Sequence, residues 1–263
     1  ALPDLLHALP DLVGDGFLRH VLSAARTLGP VRHPHRNDDC RTDFAITREA
    51  VEAAANAFQS WKHSSEQDRI DACNAMAKVC TDNAEELAVL LTKEQGKPLG
   101  GMGSQFELGG CGAWAGFTAG LSLPEKLIED SDERHVIQQR VPLGVVGSIT
   151  PWNWPLLIAI WHIVPGVRTG NSVVIKPSPF TPLSTLRMIE LFNEVLPAGL
   201  VNVIAGGDEL GAELTNHSDI DKIVFTGSTA TGQAIARAAT GKTRPSANTS
   251  RRSLGNVLFP FAK

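Results

Sequence analysis

Several features that would assign a protein to an extracellular or metal-binding class are absent from this sequence. Its four cysteines, Cys40, Cys73, Cys80 and Cys111, form no CxxC pair and no metal-ligand spacing, and none follows position 111. Cys73 and Cys80 lie seven residues apart on one apolar helix face, a spacing typical of core packing. This cysteine usage fits a reducing compartment. Because no N-terminal stretch has the form of a secretion signal, we expect a cytoplasmic protein.

Long apolar runs and a strong net charge are missing as well. The longest apolar stretch, Pro155–Val167, is broken by His162 and falls short of the ~20 residues of a membrane span. The formal net charge is −4, which gives no sign of a nucleic-acid partner. With 43% hydrophobic and 20% charged residues, the chain has the composition of a globular protein with a buried core. We therefore expect neither a membrane nor a nucleic acid as a partner.

Acidic residues are missing from the C-terminal part of the chain. The last one is Asp221, and seven Lys or Arg residues follow between Lys222 and Lys263. A basic tail can bind anions, and a segment translated out of its normal frame would have the same composition, so both interpretations stay open. The run 243–263 has neither a helical period nor strand alternation, and residues 241–263 are interpreted as an atypical basic tail.

The first 43 residues are equally hard to assign. Residues 1–43 are interpreted as an atypical, partly disordered lead-in. They contain His33, His35 and Cys40, but the spacing and number of these side chains match no standard site, so no metal is predicted.

From Thr47 onward the pattern is helical. Thr47 is a candidate N-cap of a first helix, Ser64-x-x-Gln67 has the form of a capping box for a second, and Asp82-x-x-Glu85 begins a third that stops at Gly96. The stretch Gly100–Gly120 is rich in small residues and predicts a further, closely packed helix.

After residue 135 short apolar segments alternate with helical ones, which predicts a parallel sheet with helices on both faces. The predicted strands are Val136–Ile137, Val141–Ile149, Ser172–Lys176, Val201–Ala205 and Lys222–Thr226. The predicted helices are Leu156–Val164, a helix capped by Thr181 with Pro182 at its first position and ending near Leu196, Glu209–Asn216 and Thr229–Ala239. The expected fold class is α/β with a Rossmann-type sheet, preceded by an N-terminal helical segment.

Ligands of such folds bind at the carboxyl ends of the strands. The turns at that edge are Thr150–Asn153, Lys176–Ser178, Gly206–Gly207 and Thr226–Ser228. The last is the clearest candidate, because Gly227 allows a tight turn and Ser228 opens a helix whose free N–H groups favour phosphate. The GxGxxG fingerprint is absent from the chain.

Two polar residues in these turns each allow two interpretations. Lys176 follows a buried strand, where its ammonium group either bonds ribose hydroxyls or phosphate, or simply ends the strand at the surface. Asn153 lies among two tryptophans and two prolines. Its amide either donates to a developing oxyanion or satisfies the backbone of its own loop.

Five segments occur together in a specific order. They are Val141–Gly147, Pro151–Pro155, Gly170–Ser178, Thr181–Pro182 and Phe225–Thr229. This combination resembles the aldehyde dehydrogenase superfamily, and Glu94–Pro98 is similar too. The resemblance covers about residues 44–240, over which it implies an NAD(P)-binding domain. It also implies that residues 133–140 belong to an oligomerisation arm.

The resemblance implies site roles position by position. Asn153 resembles the oxyanion-hole amide, and Trp161 resembles an aromatic residue that lines the aldehyde tunnel. The residues that resemble the cofactor site are Ile149, Thr150, Pro151, Trp152, Lys176, Ser178, Gly207, Gly211, Phe225, Thr226, Gly227 and Ser228. The implied cofactor is NAD or NADP, and Pro179 leaves the choice open, since it stands where relatives that prefer NAD often carry Glu. His162 replaces a residue that is often Lys.

The family's reaction, oxidation of an aldehyde to a carboxylic acid, requires a cysteine thiolate and a glutamate base. Where a Glu-Leu-Gly-Gly stretch is expected, the chain reads Arg252–Asn256 with Ser253 at the place of the Glu, and no cysteine follows Cys111. We therefore expect the catalytic domain to be missing and the chain alone to oxidise little or no aldehyde.

Three hypotheses follow. The first is an NAD(P)-dependent aldehyde dehydrogenase whose chain is truncated or frameshifted. The second is a non-catalytic relative that binds dinucleotide, forms a homo-oligomer or pairs with full-length subunits. The third, an unrelated α/β nucleotide-binding protein, is disfavoured by the five ordered segments.

Overall fold

The computed structural model describes residues 40–240 and 253–258, with the side chains of residues 45–239. Eight helices and seven strands lie in this part of the chain. The helices are α1 (Cys40–Trp61), α2 (Glu66–Asp82), α3 (Ala84–Gln95), α4 (Ser104–Ala119), α5 (Pro155–Arg168), α6 (Leu183–Asn193), α7 (Asp208–Asn216) and α8 (Thr229–Thr240). The strands are β1 (Lys126–Asp130), β2 (His135–Gln138), β3 (Val145–Ile149), β4 (Ser172–Lys176), β5 (Val201–Val203), β6 (Lys222–Thr226) and β7 (Ser253–Leu258).

The main sheet is parallel throughout and has the strand order β5-β4-β3-β6-β7. From the central strand β3 the chain adds β4 and β5 on one side and then β6 and β7 on the other. The connections therefore diverge between β3 and β6, which opens a crevice at the carboxyl ends of these two strands. The predicted parallel sheet with flanking helices, preceded by a helical segment, is confirmed.

Strand side chains alternate between two apolar cores, as the two-residue period requires. Val146, Val173 and Ile175 pack into the core that helices α2 to α6 cover. Val145 and Val174 point the opposite way, into the core beneath α1, α7 and α8. Burial on both faces explains why β4 reads as a continuous apolar run.

Helix α1 begins earlier than predicted. Thr47 lies inside the helix and is fully buried, so its predicted role as N-cap is wrong. Its hydroxyl donates to the carboxylate of Glu213 on α7 at 3.1 Å. Thr47 therefore links two helices of the same face, a contact that local sequence does not reveal.

The caps of α2 and α3 differ from the prediction by one or two residues. The capping box of α2 is made by Ser65 and Asp68, not by Ser64 and Gln67. Asp82 is the last residue of α2 rather than the start of α3. The stop at Gly96 is confirmed, with the left-handed φ of 83° that favours glycine.

A distant carboxylate caps α6. This helix begins at Leu183, and Thr181 does not cap it. Instead Glu94 accepts hydrogen bonds from the N–H groups of Leu183 and Ser184 and from the Ser184 hydroxyl. Burial raises the pKa of Glu94 to about 7, although the hydrogen bonds from Ser184 and Leu183 act in the opposite direction. The cap comes from α3, 89 residues away in sequence, so a local capping rule misses it.

Other helix and strand boundaries differ from the prediction where tertiary contacts determine them. Strand β3 starts at Val145 instead of Val141, because the side chain of Asn171 accepts from the N–H groups of Leu143 and Gly144, and the chain bends at Gly144. Helix α5 continues through Pro165 instead of ending before it. Strand β1 was not predicted. It pairs antiparallel with β2 to form an exposed hairpin.

The C-terminal run also contains an element that its pattern did not predict. Strand β7 pairs in parallel with β6, with Ser253 opposite Lys222 and Leu258 opposite Thr226. The run has no clean strand alternation, and pairing with a sheet edge can outweigh a weak alternation pattern. His33 and His35 of the N-terminal lead-in, and the tail residues 241–252 and 259–263, lie outside the described residues. Among the described residues, no helix is both long and apolar enough to cross a bilayer.

Candidate functional site

Three strands bring the predicted site residues into one row. Ile149, the last residue of β3, lies opposite Lys176 of β4 on one side and Phe225 of β6 on the other. The N–H of Thr150 donates to the carbonyl of Lys176 at 3.2 Å. These four residues therefore meet at the carboxyl edge, beside the crevice between β3 and β6.

Lys176 is buried, so its interpretation as a surface lysine is wrong. Its side chain is 4% exposed, and the ammonium group donates to the carbonyl of Pro177 at 3.1 Å. Burial lowers the pKa of Lys176, while the carboxylates of Asp208 and Glu209 act in the opposite direction. Because an ammonium group has three N–H donors and Pro177 is its one acceptor among residues 45–239, it retains donors for a ligand.

The turn after β6 has the predicted form. A Cβ atom at Gly227 would lie 2.5 Å from Cζ of the buried Phe225 ring, so any larger residue in this turn would have to displace that ring. The hydroxyl of Ser228 accepts from the N–H of Thr231 at 3.2 Å and thereby caps α8. The remaining N–H groups of the first turn have no acceptor inside the helix. Such a helix start favours a phosphate group.

The loop that carries Asn153 is held by residues outside it. The side-chain amide of Gln95 donates to the carbonyls of Trp152 (2.5 Å) and Asn153 (3.0 Å). The ammonium group of Lys97 donates to the same Asn153 carbonyl at 3.0 Å. The Asn153 side chain is exposed and has no hydrogen-bond partner among residues 45–239. Its amide is therefore available to a ligand, while its backbone is fixed.

A buried ion pair supports this loop from α4. Glu107 is fully buried, and its carboxylate lies 2.5 Å from the ammonium group of Lys97. Its other oxygen accepts from the N–H groups of Leu156 (2.8 Å) and Leu157 (3.0 Å), which caps α5. Lys97 also lies 4.3 Å above the Trp154 ring. Sequence reasoning missed Glu107, although it is the one charged residue between positions 99 and 124, which is a usable signal.

His162 connects the two strands that border the crevice. One ring nitrogen lies 2.9 Å from the Ser148 hydroxyl on β3, and the other lies 2.9 Å from the Thr226 hydroxyl at the end of β6. Burial lowers the pKa of His162 to about 4, so the ring is neutral near pH 7. A neutral imidazole offers one donor and one acceptor, which suits two hydroxyl partners.

Trp161 lies in a cleft on the α5 side of the sheet. Its ring is 38% exposed and packs at a tilt against Trp114, with 5.7 Å between the ring centroids. The cleft measures about 720 Å³, and Val146 and Val224 contribute apolar wall. The cleft extends toward the amino ends of β3 and β6, at Leu143 and Lys222. The role of Trp161 in an aldehyde tunnel stays a prediction.

The cysteines with described side chains are unsuited to nucleophilic chemistry. Cys73, Cys80 and Cys111 are fully buried, which confirms core packing for the first two. Burial raises the pKa of both Cys73 and Cys80 to about 12 and that of Cys111 well above its usual value. A reactive thiol needs a lowered pKa and some exposure, and these three have neither.

The polar atoms left over at the carboxyl edge fit a nucleotide. The Thr150 hydroxyl is buried and without a partner among the described side chains. Ser178 is also buried, and its hydroxyl accepts from the N–H of Phe180 at 3.3 Å. Gly207 directly precedes α7, and Gly211 lies within α7 against the Lys176 stem. The hydroxyl groups of a sugar would bond the spare N–H donors of Lys176 and the unpartnered hydroxyl of Thr150. The start of α8 suits the phosphate groups.

Comparison with known proteins places this geometry in a family. The model described as "Aldehyde dehydrogenase family" matches residues 40–250. The aldehyde dehydrogenase LUC3 of a Fusarium species is 39% identical over 189 residues, which are 72% of this chain. A betaine aldehyde dehydrogenase of Staphylococcus aureus, solved in complex with NAD+, superposes with a TM-score of 0.70 at 34% identity over 74% of this chain. A variant of the P. syringae indole-3-acetaldehyde dehydrogenase AldA, in complex with NAD+ and IAA, gives a TM-score of 0.73 at 35% identity over 76% of this chain.

The matches cover only part of each relative. The chain spans 39% of LUC3, 40% of the S. aureus structure and 41% of the P. syringae structure. The matched region is thus well under half of a relative's length.

Proposed function

We propose that this chain, which belongs to the aldehyde dehydrogenase family, binds a nicotinamide dinucleotide at the carboxyl edge of its parallel sheet. The observation that carries the proposal is the buried ammonium group of Lys176, which retains donors at the carboxyl end of β4, one strand away from the topological switch point between β3 and β6. Lys176 would bond the adenosine ribose, with Ser178, Gly207 and Gly211 around it. Gly227 and Ser228 would receive the pyrophosphate at the start of α8.

The nicotinamide half would lie beside the loop after β3. In this proposal Ile149, Thr150, Pro151 and Trp152 form its wall, and Phe225 and Thr226 border it from β6. When bound, the nicotinamide supplies a hydride acceptor.

We propose that this chain carries the cofactor-binding part of an enzyme whose reaction is the oxidation of an aldehyde to a carboxylic acid, the chemistry that the family name implies. The Asn153 amide would donate to the aldehyde oxygen as negative charge develops there, and Trp161 would line the path of the aldehyde. Cys73, Cys80 and Cys111 are buried thiols, so we expect this chain to bind dinucleotide without turning over aldehyde. Its cysteine usage supports a cytoplasmic location.

The test is dinucleotide binding to the purified chain, measured by calorimetry and by thermal shift. We expect NAD+ to raise the Tm, and Lys176→Met to weaken NAD+ binding at least tenfold, because hydrogen bonds to charged groups contribute about 1.5–3 kcal/mol. Methionine preserves the shape of the buried stem. Lys78→Met is the matched control, since Lys78 is exposed on α2 and pairs only at the surface with Asp82. If neither NAD+ nor NADP+ protects the folded chain against heat, the proposed function is wrong.

A second candidate function, pairing with another subunit, is favoured by the β1–β2 hairpin. Both strands are exposed, and Leu127, Ile128, Val136 and Ile137 are each 39 to 54% exposed. Leu127 lies directly opposite Ile137, so the two side chains form a continuous apolar strip. Exposed apolar strips of this kind are typical of association surfaces. We propose that the hairpin joins this chain to a second copy or to a full-length relative.

Light scattering after size-exclusion chromatography tests the pairing. The wild-type chain is expected to run as a dimer or larger species at micromolar concentration. The double variant Leu127→Lys/Ile137→Lys should dissociate at least tenfold more readily, because charges would enter the interface. Val195→Lys is the control, because Val195 is an exposed apolar residue outside the hairpin. A wild-type chain that stays monomeric, alone and mixed with a full-length relative, would rule the pairing out.

A further inference from the structure

The start of α7 lies directly beside the Lys176 side chain. A Cβ atom at Gly211 would lie 3.5 Å from Cδ and 3.6 Å from Cε of Lys176, so the lysine stem runs along this helix. Residues three apart share a helix face, which puts Asp208 on the face that Gly211 presents to the lysine. Asp208 and Glu209 form the first turn of the helix. The ammonium group therefore shares its surroundings with two carboxylates.

Around the Lys176 ammonium group, the start of α7 carries more negative than positive charge. The carboxylates of Asp208 and Glu209 both attract the one ammonium group of Lys176. Glu209 folds back over the helix start, since a Cβ atom at Gly207 would lie 3.0 Å from its carboxylate oxygen. The helix dipole adds roughly half a positive charge, which is not enough to offset the second carboxylate. An additional anion beside Lys176 would meet repulsion.

The Thr150 hydroxyl and the Lys176 ammonium group both favour neutral hydroxyl groups as ligands at the carboxyl edge of the sheet. The Thr150 hydroxyl is 4% exposed and has no partner among the described residues. Lys176 has spare N–H donors in the same row of the sheet. A ribose with free hydroxyls can accept from the ammonium group and donate to a carboxylate, as acidic residues do in other dinucleotide sites.

We propose that Asp208 and Glu209 make this site selective for NAD over NADP. This inference rests on the proposed dinucleotide function. A 2′-phosphate would bring about 1.5 to 2 negative charges at neutral pH next to two carboxylates. Pro179, where a family glutamate would stand, is exposed and uncharged. The acidic groups that discriminate therefore come from α7 instead of from the loop after β4.

Calorimetric titration of the purified chain with NAD+ and with NADP+, at low and at physiological salt, tests this inference. We expect the wild type to bind NAD+ at least tenfold more tightly than NADP+. In the double variant Asp208→Asn/Glu209→Gln, the ratio of the NADP+ Kd to the NAD+ Kd should fall at least fivefold. Each single variant should give an intermediate ratio. Raising the salt should shrink the difference, because exposed charges are screened. Asp219→Asn/Glu194→Gln is the matched control, since it removes two exposed carboxylates elsewhere and should leave the ratio unchanged.

The outcomes separate the two claims. If both dinucleotides bind the wild type equally, or if the α7 variant shifts the ratio no more than the control does, the selectivity is wrong and the dinucleotide site stands. If neither dinucleotide binds, the proposed function itself fails, and the selectivity fails with it.

Discussion

Glu107→Ala is expected to lower the free energy of unfolding by about 3–5 kcal/mol, the typical cost of removing one partner of a buried ion pair. The substitution would leave the ammonium group of Lys97, whose side chain is only 13% exposed, without its carboxylate. It would also leave the N–H groups of Leu156 and Leu157 without their acceptor at the start of α5. Urea unfolding followed by circular dichroism measures the loss.

A double-mutant cycle with Lys97→Met separates the ion pair from the cap. A buried pair replaced as a whole by apolar groups is often tolerated, so Glu107→Ala/Lys97→Met should be less destabilised than the sum of the two single variants. Glu85→Ala, at an exposed position of α3, should change the stability by no more than about 0.5 kcal/mol. A loss below about 1 kcal/mol for Glu107→Ala would mean that the pair contributes only what an exposed pair does.

Gly103→Ala is expected to destabilise the chain by about 3 kcal/mol, at the upper end of typical overpacking costs. A Cβ atom at this position would lie 1.7 Å from the carbonyl oxygen of Pro98 and 2.8 Å from that of Gly100. Both are backbone atoms, so a side-chain rotation cannot relieve the clash. The loop has to move, and with it Lys97, which holds the Asn153 carbonyl.

Gly109→Ala provides a control of opposite sign in the next helix. Gly109 is exposed in the middle of α4, and a Cβ atom there would meet nothing within 4 Å. Alanine should therefore stabilise the helix by about 0.5–1 kcal/mol. Thermal unfolding of Gly103→Ala and Gly109→Ala, each compared with the wild type, tests both expectations. Equal shifts of Tm in the same direction would contradict the close approach at Gly103.

Several parts of the fold follow from local pattern. Strands β4 and β6 were predicted with their exact bounds, because both are short apolar segments between turn residues. The stop of α3 at Gly96 follows from the left-handed conformation that glycine adopts readily. The turn at Gly227 and the cap at Ser228 likewise depend on residues next to each other in sequence. Whether the site residues have the roles that the resemblance implies stays a prediction until the binding experiments are done.

Contacts between remote segments account for what the sequence pattern missed. The cap of α6 by Glu94, the support of Asn153 by Gln95 and Lys97, and the pairing of β7 with β6 all join residues far apart in the chain. No periodicity encodes such pairs, because helix and strand periods report only which face of one element is apolar.

Local sequence was sufficient for the α/β class, for the turns at the carboxyl edge and for the likeness to one enzyme family, since each depends on neighbouring residues. Long-range packing set the order of the strands, and through it the meeting of Lys176, Ile149 and Phe225. It also buried Lys176 beside the acidic start of α7. The physical reason is that burial and charge depend on what surrounds a side chain, and those surroundings come together only when the sheet is assembled.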